Sequence, residues 1–130
     1  MTKHWATTGT LQGKNVSLEP LAPEHVSGLQ EAARDGELWN LWFTSVPRPE
    51  DTQQYVAQAL ALAEQGKAMP FAVRDSAGVM VGSTRYCNIE ADHKRLEIGW
   101  TWYAERVQRT ALNTEAKLLL LTNAFETLGT

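Results

Sequence analysis

The segment from Arg106 to Ala116 has the composition and the position expected of an anion-binding site. It places two basic residues, Arg106 and Arg109, in a short polar stretch between a predicted strand and a predicted helix. The first turn of a helix presents main-chain N–H groups and the positive end of the helix dipole, an arrangement that binds phosphate. Because every helix has such an end, a simple capped helix explains the same residues. The segment lacks the Gly and Lys of a nucleotide P-loop.

The first half of the chain is predicted to form one strand and two helices. Val16 and Leu18 alternate with polar residues, which predicts a short strand over residues 14–19. A helix follows from Pro23 until the Asp-Gly pair at 35–36. A second helix is predicted from about Glu50 to Gly66, because its apolar residues share one helical face: Tyr55, Val56, Ala59, Leu60 and Ala63.

The second half is predicted to form a three-stranded meander and a last helix. Period-two alternation begins near Met69, a turn follows at residues 75–78, and a second strand covers 79–89. The third strand is predicted to place on one face Leu96, Ile98, Trp100 and Trp102, and on the other Glu97, Gly99, Thr101 and Tyr103. The last helix is predicted to begin near Thr114 with Asn113 as its N-cap.

Composition excludes several classes of protein. The 130 residues are 43% hydrophobic and 21% charged, which fits one folded domain over residues 1–130. The net charge is −3 and no basic stripe occurs, so nucleic acid is not expected as a partner. No apolar stretch is long enough to span a membrane and no signal peptide is evident, so a cytoplasmic location is predicted. A single cysteine and three scattered histidines predict neither a disulfide framework nor a metal site.

Four motifs in this order resemble the GNAT superfamily of acyl-CoA-dependent N-acyltransferases, in particular its Rim-type (ribosomal-protein-alanine acetyltransferase-like) branch. The motifs are Leu11-x-Gly13-x-x-Val16-x-Leu18-x-Pro20-Leu21, Val81-Gly82-Ser83-Thr84-Arg85-Tyr86, Glu97-Ile98-Gly99-Trp100-Thr101-Trp102 and Asn113-Thr114-Glu115-Ala116-Lys117-Leu118-Leu119-Leu120. The resemblance implies an α/β (α+β) fold with a central, mostly antiparallel sheet flanked by helices. It also implies transfer of an acetyl or similar acyl group from acetyl-CoA, as co-substrate, to a primary amine.

The resemblance also implies where acyl-CoA binds. The family signature falls on Gln108, Arg109, Thr110, Ala111, Leu112 and Asn113. The main-chain N–H groups from Arg109 to Thr114 are expected to hold the pyrophosphate. At the position of Ala111 the family usually has glycine. At the position of Asn113 it usually has glycine or alanine. A Cβ at Ala111 would obstruct the pyrophosphate if that position needed a positive φ. Ile98, Gly99 and Trp100 are expected to pair with the pantetheine arm like an added strand.

Direct transfer to an amine requires a base and a hydrogen-bond donor for the developing oxyanion. By this resemblance Glu97 is the candidate base, because it lies on the strand that the family uses for this role, and it is expected to act directly or through a water. Ion pairing of Glu97 with Arg95 or Arg85 is the structural alternative. The main-chain N–H of Trp100 is the predicted oxyanion donor.

Five further residues are candidates for acceptor binding. By resemblance, Trp39, Trp42 and Phe43 are expected to form one wall of the acceptor site, and Ser83 and Tyr86 are candidates for substrate contact from the neighbouring strand. The alternative for all five is structural packing. Cys87 is predicted to be a buried strand residue rather than a nucleophile, and His25 and His93 are predicted to face solvent.

The chain ends where the family's acyl-CoA helix ends, so the C-terminal strands and helix of the family domain are not represented. A leucine-rich helix beside an unpaired strand edge predicts either a fragment of a longer polypeptide or a self-associating chain. The two functional hypotheses are an N-acetyltransferase, acting on a small-molecule or peptide amine, and a noncatalytic GNAT-like binding or assembly module.

Overall fold

The computed structural model describes residues 8–34, 47–104, 107–108 and 110–129. Within these residues, one five-stranded antiparallel sheet runs in the order β1-β2-β3-β4-β5. The strands are β1 (Leu11–Gln12), β2 (Val16–Pro20), β3 (Met69–Asp75), β4 (Met80–Glu90) and β5 (Arg95–Tyr103). The predicted meander is therefore confirmed as β3 to β5. The predicted first strand is β2, which joins the sheet by pairing with β3.

Three α-helices flank the sheet in the described part of the chain. They are α1 (Val26–Arg34), preceded by a short 3₁₀ turn at Pro23–His25, α2 (Thr52–Glu64) and α3 (Leu112–Thr122). The last helix continues in π-helical form over Asn123–Leu128. An α+β fold with an antiparallel sheet between helices, as the resemblance implies, is confirmed.

Neighbouring residues of β4 show that α2 and α3 lie on opposite faces of the sheet. The Arg85 guanidinium carbon lies 5.5 Å from the centre of the Tyr55 ring in α2. The Tyr86 hydroxyl donates a 2.5 Å hydrogen bond to the carbonyl of Leu120 in α3. Because successive side chains of a strand point to opposite faces, we call these two sides the α2 face and the α3 face.

The core lies in the sheet centre and against both sets of helices. The Phe71 and Tyr86 rings pack edge to face with centroids 5.9 Å apart, and both side chains are fully buried. Asn123 donates to the Tyr86 hydroxyl over 3.1 Å. This arrangement fastens the end of α3 to the centre of the sheet.

A charged cluster joins β2, β3 and the turn before α1. Glu19 accepts from Arg74 Nε at 2.8 Å and lies 3.2 Å from His25 Nε2. The other imidazole nitrogen of His25 accepts from the main-chain N–H of Ala22 at 2.9 Å. The prediction that His25 faces solvent is therefore wrong: its ring is only 6% exposed, because it caps this turn. His93, in contrast, is exposed as predicted.

Replacement of Glu19 by glutamine is expected to make stability less dependent on pH. The hydrogen bond from Arg74 is the largest of the influences that hold the pKa of Glu19 below its ordinary value of 4.5. A carboxyl whose folded pKa is lowered stabilises the protein above the unfolded pKa, and this stabilisation is lost as the pH falls through the folded pKa. Urea unfolding between pH 6 and pH 3 should show that E19Q costs about 1 kcal/mol or less at the upper end, with the difference shrinking below about pH 4.5.

Glu31→Gln is the matched control for Glu19→Gln. Glu31 pairs with Arg34 on α1, and its side chain is 75% exposed. A pH-independent difference between E19Q and the unmodified protein would contradict the assigned role of Glu19.

Candidate active site

A β-bulge interrupts β5 next to the candidate base. Ser83 of β4 pairs with Trp102 and Arg85 pairs with Gly99, so Trp100 and Thr101 together lie opposite the single residue Thr84. Trp100 has a φ of 54°, in the left-handed region. A bulge leaves its extra residue out of the ladder and redirects the strand. The N–H of Trp100 is thus in a segment where regular pairing with β4 is broken.

The bulge corrects the prediction that four apolar residues of β5 share one face. Ile98 pairs with Tyr86 on the α3 face, whereas Trp102 donates from Nε1 to the Tyr55 hydroxyl of α2 over 3.4 Å. The Trp100 ring lies 4.6 Å from the Arg85 guanidinium carbon, on the α2 face. The physical reason is the extra residue, since one inserted position reverses the alternation of every side chain after it. Leu96 and Ile98 therefore face α3, while Trp100 and Trp102 face α2.

Glu97 lies on the α2 face, on the same side of the sheet as Trp100. It pairs with Cys87 in the β4–β5 ladder, and Cys87 is two residues from Arg85. Its carboxylate is exposed and accepts a 2.8 Å hydrogen bond from Asn88. Neither predicted arginine partner forms an ion pair with it in the described residues: Arg95 pairs with Glu90 at 2.8 Å instead. The carboxylate is therefore accessible to an incoming amine or water.

The start of α3 leaves two main-chain N–H groups available as hydrogen-bond donors, and side-chain hydrogen bonds hold the segment just before it. Gln108 donates from Nε2 to the carbonyl of Tyr103 at 3.0 Å, and the Thr110 hydroxyl contacts the Val107 carbonyl at 2.6 Å. Within the part of the chain that the structure describes, the main-chain N–H groups of Asn113 and Thr114 have no hydrogen-bond acceptor. Both lie in the first turn of α3, where the helix dipole favours an anion.

The predicted N-cap is wrong by two positions. The helix begins at Leu112 with Ala111 at the N-cap, rather than near Thr114 with Asn113 as the cap. The reason is that the Thr110 hydroxyl accepts from the Leu112 N–H at 3.3 Å and so caps the turn from a residue earlier. Ala111 has a φ of −69°, so its Cβ needs no strained conformation. The substitution of alanine for glycine is therefore compatible with this backbone.

A long-range contact fixes the first turn of α3. The Glu115 carboxylate accepts from the main-chain N–H of Asn15 at 2.7 Å and from its side-chain amide at 3.1 Å. The main-chain hydrogen bond from Asn15 is the largest influence lowering the pKa of Glu115. Glu115 thereby ties the candidate phosphate-binding turn to the turn between β1 and β2.

A groove of about 470 Å³ lies between β5 and α3. Leu96 and Ile98 line one side, and Leu121 and Phe125 line the other. Among the described residues β5 is the last strand in the sheet order, and further lining of the groove comes from its hairpin with β4: Asn88, Glu90, Lys94 and Arg95. Leu118, Leu121 and Phe125 are 62%, 44% and 64% exposed, which agrees with the predicted uncovered face of the last helix. Of the three β5 residues assigned to the pantetheine arm, Ile98 lines this groove, whereas Gly99 and Trp100 are not among its lining residues.

Ser83 and Tyr86 are fully buried, and their hydroxyls are used inside the protein. Ser83 donates to the carbonyl of Phe71 at 2.8 Å, and Tyr86 donates to that of Leu120. These contacts are those of the packing alternative. The other acceptor candidates, Trp39, Trp42 and Phe43, lie outside the described residues, as do Arg106 and Arg109.

Cys87 is half-buried, and burial is the main influence raising the pKa of its thiol. The Glu97 charge raises this pKa further and Arg85 opposes it. A thiol with a raised pKa is a poor nucleophile at neutral pH. In the described part of the chain, no group of three His, Cys, Asp or Glu side chains is placed to bind a metal ion. No described helix is long and apolar enough to cross a membrane.

The residues of the site that the motifs did not single out are Tyr55 and Arg85. The second family motif contains Arg85 but gives it no role beyond that of an alternative partner of Glu97, and the sequence places Tyr55 only on the apolar face of α2. The Trp100 ring reaches the Arg85 guanidinium because the bulge turns Trp100 to the α2 face, and this pairing of two strands has no local sequence signal.

Comparison with known proteins identifies the family. Residues 15–130 match the model of the acetyltransferase (GNAT) domain. No curated protein matches the chain significantly. Solved structures do: a GCN5-related N-acetyltransferase from Brucella melitensis is 25% identical over 95% of this chain and 57% of its own, with a TM-score of 0.79.

Two further solved structures share the fold at lower identity. RimL, a ribosomal L7/L12 alpha-N-protein acetyltransferase in complex with coenzyme A, is 21% identical over 87% of this chain and 66% of its own, with a TM-score of 0.71. An acetyltransferase from Salmonella typhimurium that modifies the N-terminal serine of ribosomal protein L7/L12 is 19% identical over the same shares, with a TM-score of 0.73. The chain thus spans 57% to 66% of the length of these three structures. The match over residues 15–130 shows that the chain belongs to the GNAT acetyltransferase family.

Proposed function

We propose that this chain carries the acyl-CoA-binding and base-bearing part of an N-acetyltransferase. The acceptor is a primary amine of a small molecule or of a protein N-terminus, and transfer occurs by direct attack. Support for the protein N-terminus comes from RimL-type structures, which share the fold and act on a ribosomal protein. The single observation that carries the proposal is the exposed Glu97 carboxylate beside a bulge in β5, next to a helix that begins with unused N–H groups.

Acetyl-CoA supplies an activated acyl group as a thioester. The N–H groups of Asn113 and Thr114 are suited to hold its pyrophosphate, and the free edge of β5 at Ile98, Gly99 and Trp100 is suited to pair with the pantetheine arm. Gln108 supports this turn through its bond to the carbonyl of Tyr103. Ala111 and Leu112 contribute backbone, and Thr110 caps the helix.

This chain's own residues supply two functions as the amine attacks the thioester carbonyl, a C–N bond replaces the C–S bond and CoA leaves as its thiolate. Glu97, or a water that it holds, accepts the proton that the acceptor ammonium must lose before its nitrogen can attack. The N–H of Trp100 donates to the carbonyl oxygen on which negative charge develops. The bulge positions this donor because regular pairing with β4 is broken there.

Replacing Asn113 by proline is expected to weaken acetyl-CoA binding. Proline lacks the N–H, and the first turn of a helix tolerates it because that N–H has no partner within the helix. Loss of one hydrogen bond to a charged phosphate should raise the Kd by about 10- to 100-fold in isothermal titration calorimetry.

Gln53→Pro provides the control for Asn113→Pro. Gln53 is the exposed second residue of α2, the position in that helix that Asn113 occupies in α3. An equal loss of affinity in both variants would contradict the assigned role of Asn113. Absence of binding heat from acetyl-CoA to the unmodified chain would favour the noncatalytic module instead.

We also propose a cytoplasmic location, which the composition supports, and self-association or a covering segment, which the exposed apolar face of α3 supports. Size-exclusion chromatography with light scattering tests the second.

A further inference from the structure

The most unusual charged group on the α2 face is the guanidinium of Arg85. Arg85 as a residue is only 3% exposed, and its Nε has no hydrogen-bond partner among the residues that the structure describes. The ion pairs found among the described residues involve His25, Arg34, Arg74 and Arg95, and none involves Arg85. A buried cation without a counter-ion costs several kcal/mol of solvation. A fold that keeps such a cation gains from an anion that binds there.

Two aromatic rings restrict how an anion can approach. The guanidinium carbon of Arg85 lies 5.5 Å from the Tyr55 ring centre and 4.6 Å from the Trp100 ring centre. Cation–π contacts of this kind cover the flat faces of a guanidinium and leave its N–H edge as the part that can bind. The unpaired Nε lies on that edge. A planar carboxylate, which accepts two parallel hydrogen bonds, matches this geometry.

The position of Arg85 relative to Glu97 indicates what carries the carboxylate. Arg85 pairs with Gly99 and Cys87 pairs with Glu97, so Arg85 and Glu97 are diagonal neighbours on one face of β4 and β5. Diagonal residues of an antiparallel pair have Cα atoms about 7–8 Å apart. A negative and a positive group thus lie side by side, next to the bulge that carries the predicted oxyanion donor. This arrangement complements a molecule with an ammonium and a carboxylate a few bonds apart.

We infer that Arg85 is a specificity-determining residue that binds a carboxylate of the acceptor, so that the preferred acceptor is an amine carrying an acidic group close to its nitrogen. The inference rests on the proposed function, because it takes Glu97 to face the acceptor amine. Tyr55 and Trp100 both contact the guanidinium, and the Tyr55 hydroxyl accepts a hydrogen bond from Trp102. The Trp100 ring is 48% exposed and lies 4.6 Å from the guanidinium carbon, so it has to shift before a carboxylate can reach the buried Nε.

The test compares acceptors that differ only in one charge. The first pair is a free α-amino acid and its carboxamide. The second pair is two peptides that differ only in having Asp or Asn after the N-terminal residue. Acetylation rates should favour the carboxylate member of one pair by about 10- to 100-fold in kcat/KM, after correction for the fraction of unprotonated amine. The pair that shows the preference tells whether the carboxylate belongs to an amino acid or to a peptide side chain.

Variants of Arg85 separate recognition from packing. R85M should reduce the preference to near equality and leave the melting temperature unchanged or raised, because methionine fills the space without a buried charge. R85K, which keeps the charge but loses the planar fork, should retain only part of the preference. Arg34→Met, on an exposed residue of α1, should leave the preference intact.

Two outcomes would overturn the inference. One is equal kcat/KM for both members of each pair in the unmodified protein. The other is an R85M protein with a lower melting temperature and an unchanged preference, which would show that Arg85 serves only packing.

Calorimetric titration of the same acceptors, with and without CoA, measures their binding without requiring turnover. Failure of CoA to bind therefore counts against the proposed function, whereas equal Kd values for carboxylate and amide count against the role of Arg85.

Discussion

Replacement of Gly82 by alanine is expected to lower the melting temperature by about 10 °C, which corresponds to about 3 kcal/mol of unfolding free energy. A Cβ at this position would lie 2.1 Å from the carbonyl oxygen of Trp102 and 3.0 Å from the Cα of Tyr103. Both atoms belong to the main chain of β5, so no side-chain rotation can relieve the contact. Gly82 is thus required for the close approach of β4 and β5.

The structural location of Gly82 gives the prediction a second readout. Gly82 pairs with Tyr103 one residue before Ser83 pairs with Trp102, directly beside the bulge at Trp100 and Thr101. Separation of the two strands there would also displace the predicted oxyanion donor. Thermal unfolding followed by circular dichroism measures the first effect, and turnover at a temperature where G82A is folded measures the second.

Gly9→Ala is the control for Gly82→Ala. No heavy atom lies within 4 Å of a Cβ built at Gly9. Its melting temperature should stay within about 2 °C of the unmodified protein, as is usual for surface substitutions. A G82A protein that melts equally close to the unmodified protein would show that β4 and β5 can separate locally without cost.

Replacement of Glu97 by glutamine is expected to reduce kcat by about 100-fold while leaving the Kd for acetyl-CoA unchanged. Glutamine keeps the size of the side chain and can still accept from Asn88, but it cannot take a proton from the acceptor ammonium. The loss should become smaller as the pH rises, because an α-amino group with an ordinary pKa of about 8 then loses its proton to solvent. Steady-state kinetics from pH 6.5 to 9.5, together with calorimetry, would measure both effects.

Glu90→Gln provides the comparison for Glu97→Gln. Glu90 is an exposed carboxylate of β4 that pairs with Arg95, so its loss removes a similar charge from the same region. Its kcat should change by less than about threefold. If E97Q and E90Q lost the same activity, or if E97Q lost acetyl-CoA affinity, the assignment of Glu97 as the base would be rejected.

The order of helices and strands was predictable because each element has a local pattern. In β2 the buried Val16 and Leu18 alternate with less buried residues, in β3 every residue from 69 to 73 is buried, and each confirmed helix has apolar residues at helical spacing. Glu97 could be placed on the third meander strand for the same reason. These features depend on residues that are close together in the chain.

The bulge in β5 could not be predicted in the same way. Residues 96–102 alternate apolar and polar or small side chains without a break, so they read as a regular strand. The extra residue is defined only by pairing with Thr84 of β4, which is a property of two strands rather than one. The Arg85 cluster depends on that pairing and was missed with it.

The first residue of α3 could not be predicted from local residue preferences alone. Thr110 and Asn113 are both good capping residues, and they lie three positions apart, so local preference alone did not decide between them. The contact of Glu115 with Asn15, 100 residues away, holds the first turn of α3 in place.

That same contact has a consequence for the order of folding. A hydrogen bond that closes a loop of 100 residues bears a large entropy cost, and such contacts form after local hairpins and helices. The two turns that it joins are the one before β2 and the first turn of α3, so the candidate phosphate-binding turn is organised only when the first hairpin is already in place. Acetyl-CoA binding would then report that the chain has closed from its first strand to its last helix, rather than that one local segment has formed.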